Sequence, residues 1–327
     1  MRGTIVKLDR GFPLVQLEDG SVLRCEHATT LVKGKKVRAV IGDEVDVSIP
    51  DGHDKGIIGE ISPRRTAFVR KDPAERTAAQ VLAANFDSVI IAEPIVQLNA
   101  KRLERELVLA HETGARVAVV LTKADLASDP TEVESVSQNV ADLAGHDVAV
   151  AVMSIDDPAS IERVRSLIPK GEVAVLIGKS GVGKSSLVNL LAGDEVQEIG
   201  DVRESDGKGR HTTVDRVMIE IPGAGRVVDM PGVRGLGLWD SDTGIDVAFA
   251  DIAELARQCR FRDCKHSDEP GCAVLEAVQA GELAQSRLNS YRSLVSEVEA
   301  TRKKREESQR MRGEKASDRK RQKRAGR

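Results

Sequence analysis

The chain carries two short motifs in an order that few folds permit. Gly178-Lys179-Ser180-Gly181-Val182-Gly183-Lys184-Ser185 fills every position of a phosphate-binding loop. Thr122-Lys123-Ala124-Asp125 has the form of a guanine-reading tetrapeptide, and it comes first. Where one domain carries both motifs, the phosphate loop ordinarily leads. The reversed order is that of a circular permutation, in which the same sheet and pocket are kept and the chain is cut elsewhere.

The context of each motif fits. The apolar run Val173 to Ile177 leads into the loop, and Lys184 to Leu191 has the character of a helix after it. Glycines let backbone N–H groups turn inward around phosphates, and the helix start adds positive dipole. In that frame Lys184 reaches the β- and γ-phosphates, and Ser185 ligates magnesium, followed by Ser186. Asp125 accepts from the two ring-edge donors of guanine, a pattern adenine lacks. The stem of Lys123 packs along the base. Thr122 stands where Asn is usual. Ser154, after the strand-like Val148 to Val152, fits the backbone-led base loop. Asp229-Met230-Pro231-Gly232 is a D-x-x-G element, with Asp229 toward magnesium and the Gly232 N–H toward the γ-phosphate. Between them, Gly200 to Arg216 is polar and Gly-rich and is the place for a first switch. Thr213, rather than Thr212, is read there as the further magnesium ligand. Val233 stands where many relatives of this fold have a water-orienting Gln, which leaves His211 as the nearest candidate by sequence.

Around this core the pattern changes twice. Residues 1–65 are rich in short strand-like stretches: Thr4 to Leu8, Leu14 to Leu17, Ser21 to Leu23, Lys36 to Val40, Val45 to Ile49 and Gly56 to Ile61. They predict a small all-β barrel of OB type. Phe12 is its one aromatic, so Lys33, Lys35, Lys36 and Arg38 are better placed than ring stacking to meet a polyanion. Residues 66–240 alternate strand and helix patterns, which predicts a parallel α/β sheet covered on both faces. Leu103, Leu107 and Ala110 share a helical face there, with Asn99 as cap. Residues 241–300 read as helical, with Leu288, Tyr291, Val295 and Val298 forming a packing stripe.

Cys259, Cys264, His266 and Cys272 interrupt that helical region as C-x4-C-x-H-x5-C. Three thiolates and one imidazole complete a tetrahedral zinc shell with no position left for water, so the site is expected to be structural. Arg260, Arg262 and Lys265 lie among the ligands and could face RNA. Cys25 is left over as an ordinary buried residue.

The net charge of -3 hides an asymmetry. Residues 301–327 hold 13 Lys/Arg against 4 Asp/Glu, a net of +9, so the rest of the chain carries about -12. This segment reads as a disordered basic tail. The start shows no positive-then-apolar leader, and no apolar run approaches the ~20 residues needed to span a bilayer. The reading expects a cytoplasmic monomer without a membrane partner.

Taken together, these motifs resemble the RsgA (also called YjeQ) family of circularly permuted GTPases. Asp229-Met230-Pro231-Gly232-Val233-Arg234, with Gly237-Leu238-Trp239 after it, is also similar to the family's pattern. The resemblance implies an OB domain, a permuted GTPase domain and a C-terminal zinc domain. It implies GTP hydrolysis to GDP, with magnesium and one structural zinc, stimulated by the small ribosomal subunit and its RNA during late maturation. It also implies that His211 takes part in hydrolysis, with Lys184 and Thr213. Two other functions fit some of the motifs. One is an RNA-binding scaffold whose nucleotide does not turn over; the other is an ATP-dependent enzyme, against which Asp125 argues.

Overall fold

The computed structural model describes residues 1–9, 12–35, 37–71, 79–193, 216–230, 238–239 and 241–325, the side chains of 34, 35, 71 and 312–325 excepted. It forms two compact units, Met1–Phe68 with Val81–Gly235, and Val69–Gln80 with Leu236–Arg327.

The first unit begins with five strands, β1 (Arg2–Asp9), β2 (Phe12–Leu17), β3 (Val22–His27), β4 (Glu44–Ser48) and β5 (Gly56–Ile61). They pair in the order β1-β2-β3-β5-β4, and β4 returns to β1, which closes a barrel. Alternate residues point inward, so Ile5, Val15, Cys25, Val45, Val47 and Ile58 fill one core. The expected strand over Lys36 to Val40 is not found among the described residues. A helical turn over Thr30–Lys35 precedes it, the Val37 N–H donates back to the Leu31 carbonyl at 3.1 Å, and side chains take up two further N–H groups. Ala39 N–H donates to His27 Nε2 at 3.0 Å, and Val40 N–H to Asp43 Oδ2 at 2.7 Å. With these donors already taken, the segment has no ladder to join. Asp43 is fully buried and is held by Arg64 through Nε at 2.7 Å and Nη2 at 2.8 Å.

A two-stranded ribbon follows, β6 (Ala67–Lys71) with β7 (Ala79–Ala84). Then come β8 (Ser88–Pro94), α1 (Ala100–His111), β9 (Arg116–Thr122), α2 (Pro130–Ala144), β10 (Ala149–Val152), α3 (Pro158–Arg165), β11 (Val173–Ile177) and α4 (Lys184–Ala192). After them are β12 (Arg216–Glu220) and β13 (Arg226–Asp229). Asn99 caps α1, its Oδ1 accepting from Arg102 N–H at 3.0 Å. The sheet order is β10-β9-β8-β11-β13-β12, parallel from β10 to β13. The central strands are apolar on both faces, as a sheet covered on both sides requires. Strand β12 runs antiparallel to β13 and pairs with β1, Lys7 opposite Val217, so barrel and sheet are continuous. The loops after β8, β9 and β11 meet at the carboxyl edge, where open α/β sheets bind ligands.

The second unit is mostly helical: α5 (Asp242–Ala248), α6 (Ala250–Ala256), α7 (Ala273–Ala280) and α8 (Gln285–Ala325). Phe249 meets Tyr291 edge-on at 5.5 Å, and the Arg287 guanidinium lies 4.4 Å from the Phe249 ring centre. Leu288, Leu294 and Val298 are buried beneath. The basic tail expected to be disordered from residue 301 is instead a continuation of α8. Residues 301–325 are mostly Lys, Arg, Glu, Gln and Ala, good helix formers, with one glycine and no proline. The docked first turns supply the costly nucleus, so the rest propagates.

Candidate functional site

The phosphate loop joins β11 to α4. Gly178, Gly181 and Gly183 have φ of 142°, 84° and 100°, a region closed to most side chains. At Gly178 a Cβ would come within 2.4 Å of the Ala92 carbonyl oxygen, so only glycine fits. Lys179, Ser180 and Gly181 are exposed, and Val182 is buried in the sheet core. Lys184 is 7% exposed, its Nζ donating to the Gly178 carbonyl at 2.7 Å and the Lys179 carbonyl at 3.1 Å. Its ammonium thus lies within the curl of the loop. Burial lowers its pKa, while the charges of Asp229 and Glu106 act the other way. Ser185 and Ser186 follow on the first turn of α4. Asp229 ends β13, one strand from the loop, close enough to act on Lys184.

The base loop follows β9, across β8. Thr122 is fully buried, and its hydroxyl bonds the Val182 carbonyl at 2.5 Å, with the Glu93 carbonyl at 3.3 Å. That hydroxyl braces the phosphate loop. Lys123 adopts φ 61° and donates from Nζ to the Gly181 carbonyl at 2.7 Å. Asp125 lies in the tight turn Ala124–Leu126, where its Oδ1 is buried and takes no hydrogen bond from the protein. A buried carboxylate oxygen without a donor fits a ligand that brings two N–H groups. Met153 accepts from Ala124 N–H at 3.2 Å, which places the loop of Ser154 beside the base loop. Ser154 is itself held by Ser160, whose hydroxyl accepts from its N–H at 3.1 Å. A cleft of about 270 Å³ adjoins these loops, its lining including Lys123, Leu126, Ser180 and Arg102.

His211, Thr212, Thr213, Gly232 and Val233 lie outside the described residues. Three charged residues near the loop went unread in the sequence: Glu93 on β8, and Arg102 and Glu106 on α1. Arg102 Nε donates to Glu93 Oε1 at 2.7 Å, and its Nη2 bonds Oε2. The signal was available, since Arg102 and Glu106 flank Leu103 on the inward face of a helix.

In the second unit, one ligand atom from each of Cys259, Cys264, His266 and Cys272 falls within 4.8 Å of the others. The Sγ atoms of Cys259 and Cys272 are 3.8 Å apart, and His266 Nδ1 is 3.6 Å and 3.4 Å from them. A tetrahedron with Zn–S near 2.3 Å has S···S edges of about 3.8 Å, so the set fits zinc, with Nδ1 as the imidazole donor. Burial lowers the His266 pKa and so favours the neutral, ligating ring. The Glu269 carboxylate accepts from the N–H groups of Lys265 and Ser267, both at 2.8 Å, and of Asp268 at 3.2 Å. Those bonds hold its pKa at about 2 and fix the turn that presents His266. Arg260 and the exposed Phe261 stack at 5.5 Å beside the cluster.

Comparison with known proteins agrees with this architecture. The family model for RsgA GTPase matches residues 61–239. A Streptomyces coelicolor protein named small ribosomal subunit biogenesis GTPase RsgA is 44% identical over 296 residues, covering 90% of this chain and 80% of its own. One of the same name from Methanosarcina acetivorans is 38% identical, covering 82% and 72%. The crystal structure of YjeQ from Thermotoga maritima superimposes with a TM-score of 0.67 at 26% identity, covering 91% and 98%. YloQ, described as a circularly permuted GTPase, gives 0.64 at 25% identity, covering 91% and 95%.

Proposed function

The chain belongs to the RsgA GTPase family, a GTP hydrolase by that membership, and we propose that it hydrolyses GTP on the small ribosomal subunit during that subunit's biogenesis. The observation that carries the nucleotide reading is the pair of braces from Thr122 and Lys123 to the phosphate loop, beside the unpartnered Asp125 oxygen.

In this reading the backbone N–H groups of Gly178 to Ser185 cradle the phosphates, and Lys184 turns its ammonium from loop carbonyls to the β- and γ-phosphates. Asp125 takes the two guanine donors, the Lys123 stem covers the base, and the Ser154 loop closes its far edge. Ser185, Thr213 and Asp229 would hold magnesium, which would supply charge neutralisation for the transferred phosphoryl group. His211 orients the attacking water in place of the Gln absent at Val233. The Gly232 N–H senses the γ-phosphate. Residues 66–240 would then be the engine, with the barrel of residues 1–65 and the zinc domain of residues 241–300 facing ribosomal RNA through Lys33, Arg38, Arg260 and Arg262. The protein works as a monomer in the cytoplasm; none of its described helices is long and apolar enough to cross a membrane.

The zinc domain follows the second switch directly in sequence, so the γ-phosphate can govern RNA affinity. Sedimentation with purified small subunits tests this. Binding should be tighter with a nonhydrolysable GTP analogue than with GDP; equal binding would remove the coupling.

A further inference from the structure

Beneath the phosphate loop lies a group of buried charges that the hydrolysis account leaves unused. Arg102 and Glu106 sit one turn apart on α1 and both face Glu93 of β8. Glu93 is fully buried and Glu106 is 5% exposed. The Arg102 fork is committed to both oxygens of Glu93. Glu106 shares a hydrogen bond with Glu93, and its Oε2 has no partner. Two carboxylates in hydrogen-bond contact need a proton between them, and one Arg cannot neutralise both. The other charge facing Glu106 is Lys184 on α4, with Asp229 of β13 acting on Lys184 in turn.

We propose that Glu106 is a positioning residue for the phosphate-loop lysine: it holds a proton while nucleotide is bound, and on losing it sets a second buried carboxylate against the phosphates for the charge of Lys184. Protonated, Glu106 donates to Glu93 and leaves the ammonium to the ligand. Ionised, it adds negative charge near a polyanion in a poorly screened interior. Burial first, and then the charge of Glu93, push Glu106 up to about 8, with Arg102 and Lys184 opposing. Bound phosphates raise it further, so binding takes up a proton. The sign follows: affinity is fully present below the value in the empty protein and declines as pH rises through it.

The inference rests on the nucleotide reading of this loop, and GDP binding separates the two. Calorimetry of GDP binding to the intact protein at pH 8, in buffers of differing ionisation enthalpy, should report uptake of about half a proton. Affinity should fall by up to about tenfold between pH 7 and pH 9. Glu106→Gln keeps the size and the donor and cannot titrate, so its slope with pH should vanish. A wild-type enthalpy indifferent to buffer would overturn the proposal, as would a slope that persists in the variant. The calorimetric arm needs no variant, so misfolding of Glu106→Gln cannot decide the matter. A protein that bound no GDP at pH 7 would contradict the nucleotide reading itself, and this inference with it.

Discussion

Lys123 Nζ donates to the Gly181 carbonyl at 2.7 Å, so the residue proposed to frame the base also braces the loop proposed to grip the phosphates. Thr122 does the same one position earlier, through Val182. The permutation moves the chain ends and leaves this brace intact, because it depends on neighbouring strands rather than on motif order. In the proposed reading, base and phosphate recognition are thereby tied together.

Thr122→Val tests the brace. It keeps the shape of the side chain and removes the donor, leaving the Val182 carbonyl unpaired in a buried position. The cost of an unsatisfied buried acceptor is about 1–3 kcal/mol. GDP affinity, followed with a fluorescent analogue, should drop by about tenfold or more; an unaltered affinity would mean the brace is dispensable.

Asp125→Asn exchanges an acceptor for a donor at the base edge. Guanine then meets a mismatched partner, and the preference for GTP over ATP should collapse, with loss of GTP binding as the first sign. Competition binding with GTP, ATP and XTP measures it, since xanthine presents the complementary acceptor. Retained GTP selectivity would remove Asp125 from base reading.

Lys184→Ala should abolish nucleotide binding or hydrolysis, because it removes the buried ammonium held by the Gly178 and Lys179 carbonyls. His211→Ala should slow single-turnover hydrolysis and spare GDP binding. A hydrolysis rate equal to wild type would take His211 out of the mechanism.

The two loops proposed to hold the nucleotide were legible in the sequence because contact with one small ligand would dictate their residue types. Gly178 and Asp125 leave few alternatives, and their neighbours Lys179 and Leu126 line the cleft. The Cys3His spacing was legible for the same reason. Long-range compensation was less visible. Lys36 to Val40 has the apolar pattern of a strand, yet His27 and Asp43 take its N–H groups, and those partners lie up to 12 residues away. Strand β12 has an apolar run, Val217 to Ile219, but adjoins the polar segment read as switch I, which masked it. The helix from residue 301 was missed because charge was weighed above helix propensity. Glu106 escaped notice since a charged residue on a helix usually faces water, and only the tertiary structure shows Glu93 opposite.

Zinc removal should unfold the second unit locally. Elemental analysis should find about one zinc per chain, and a chelator should lower helix content and melting temperature together, since metal binding energy is folding energy at such sites. Cys272→Ser should reproduce the effect without chelator. A folded, metal-free protein of unchanged stability would refute the structural-zinc assignment.

The most direct test of the whole account is phosphate release from GTP, with ATP for comparison, in the presence and absence of purified small ribosomal subunits. The account predicts slow release from GTP alone, none from ATP, and strong acceleration by the subunits. Hydrolysis indifferent to the subunits would contradict it.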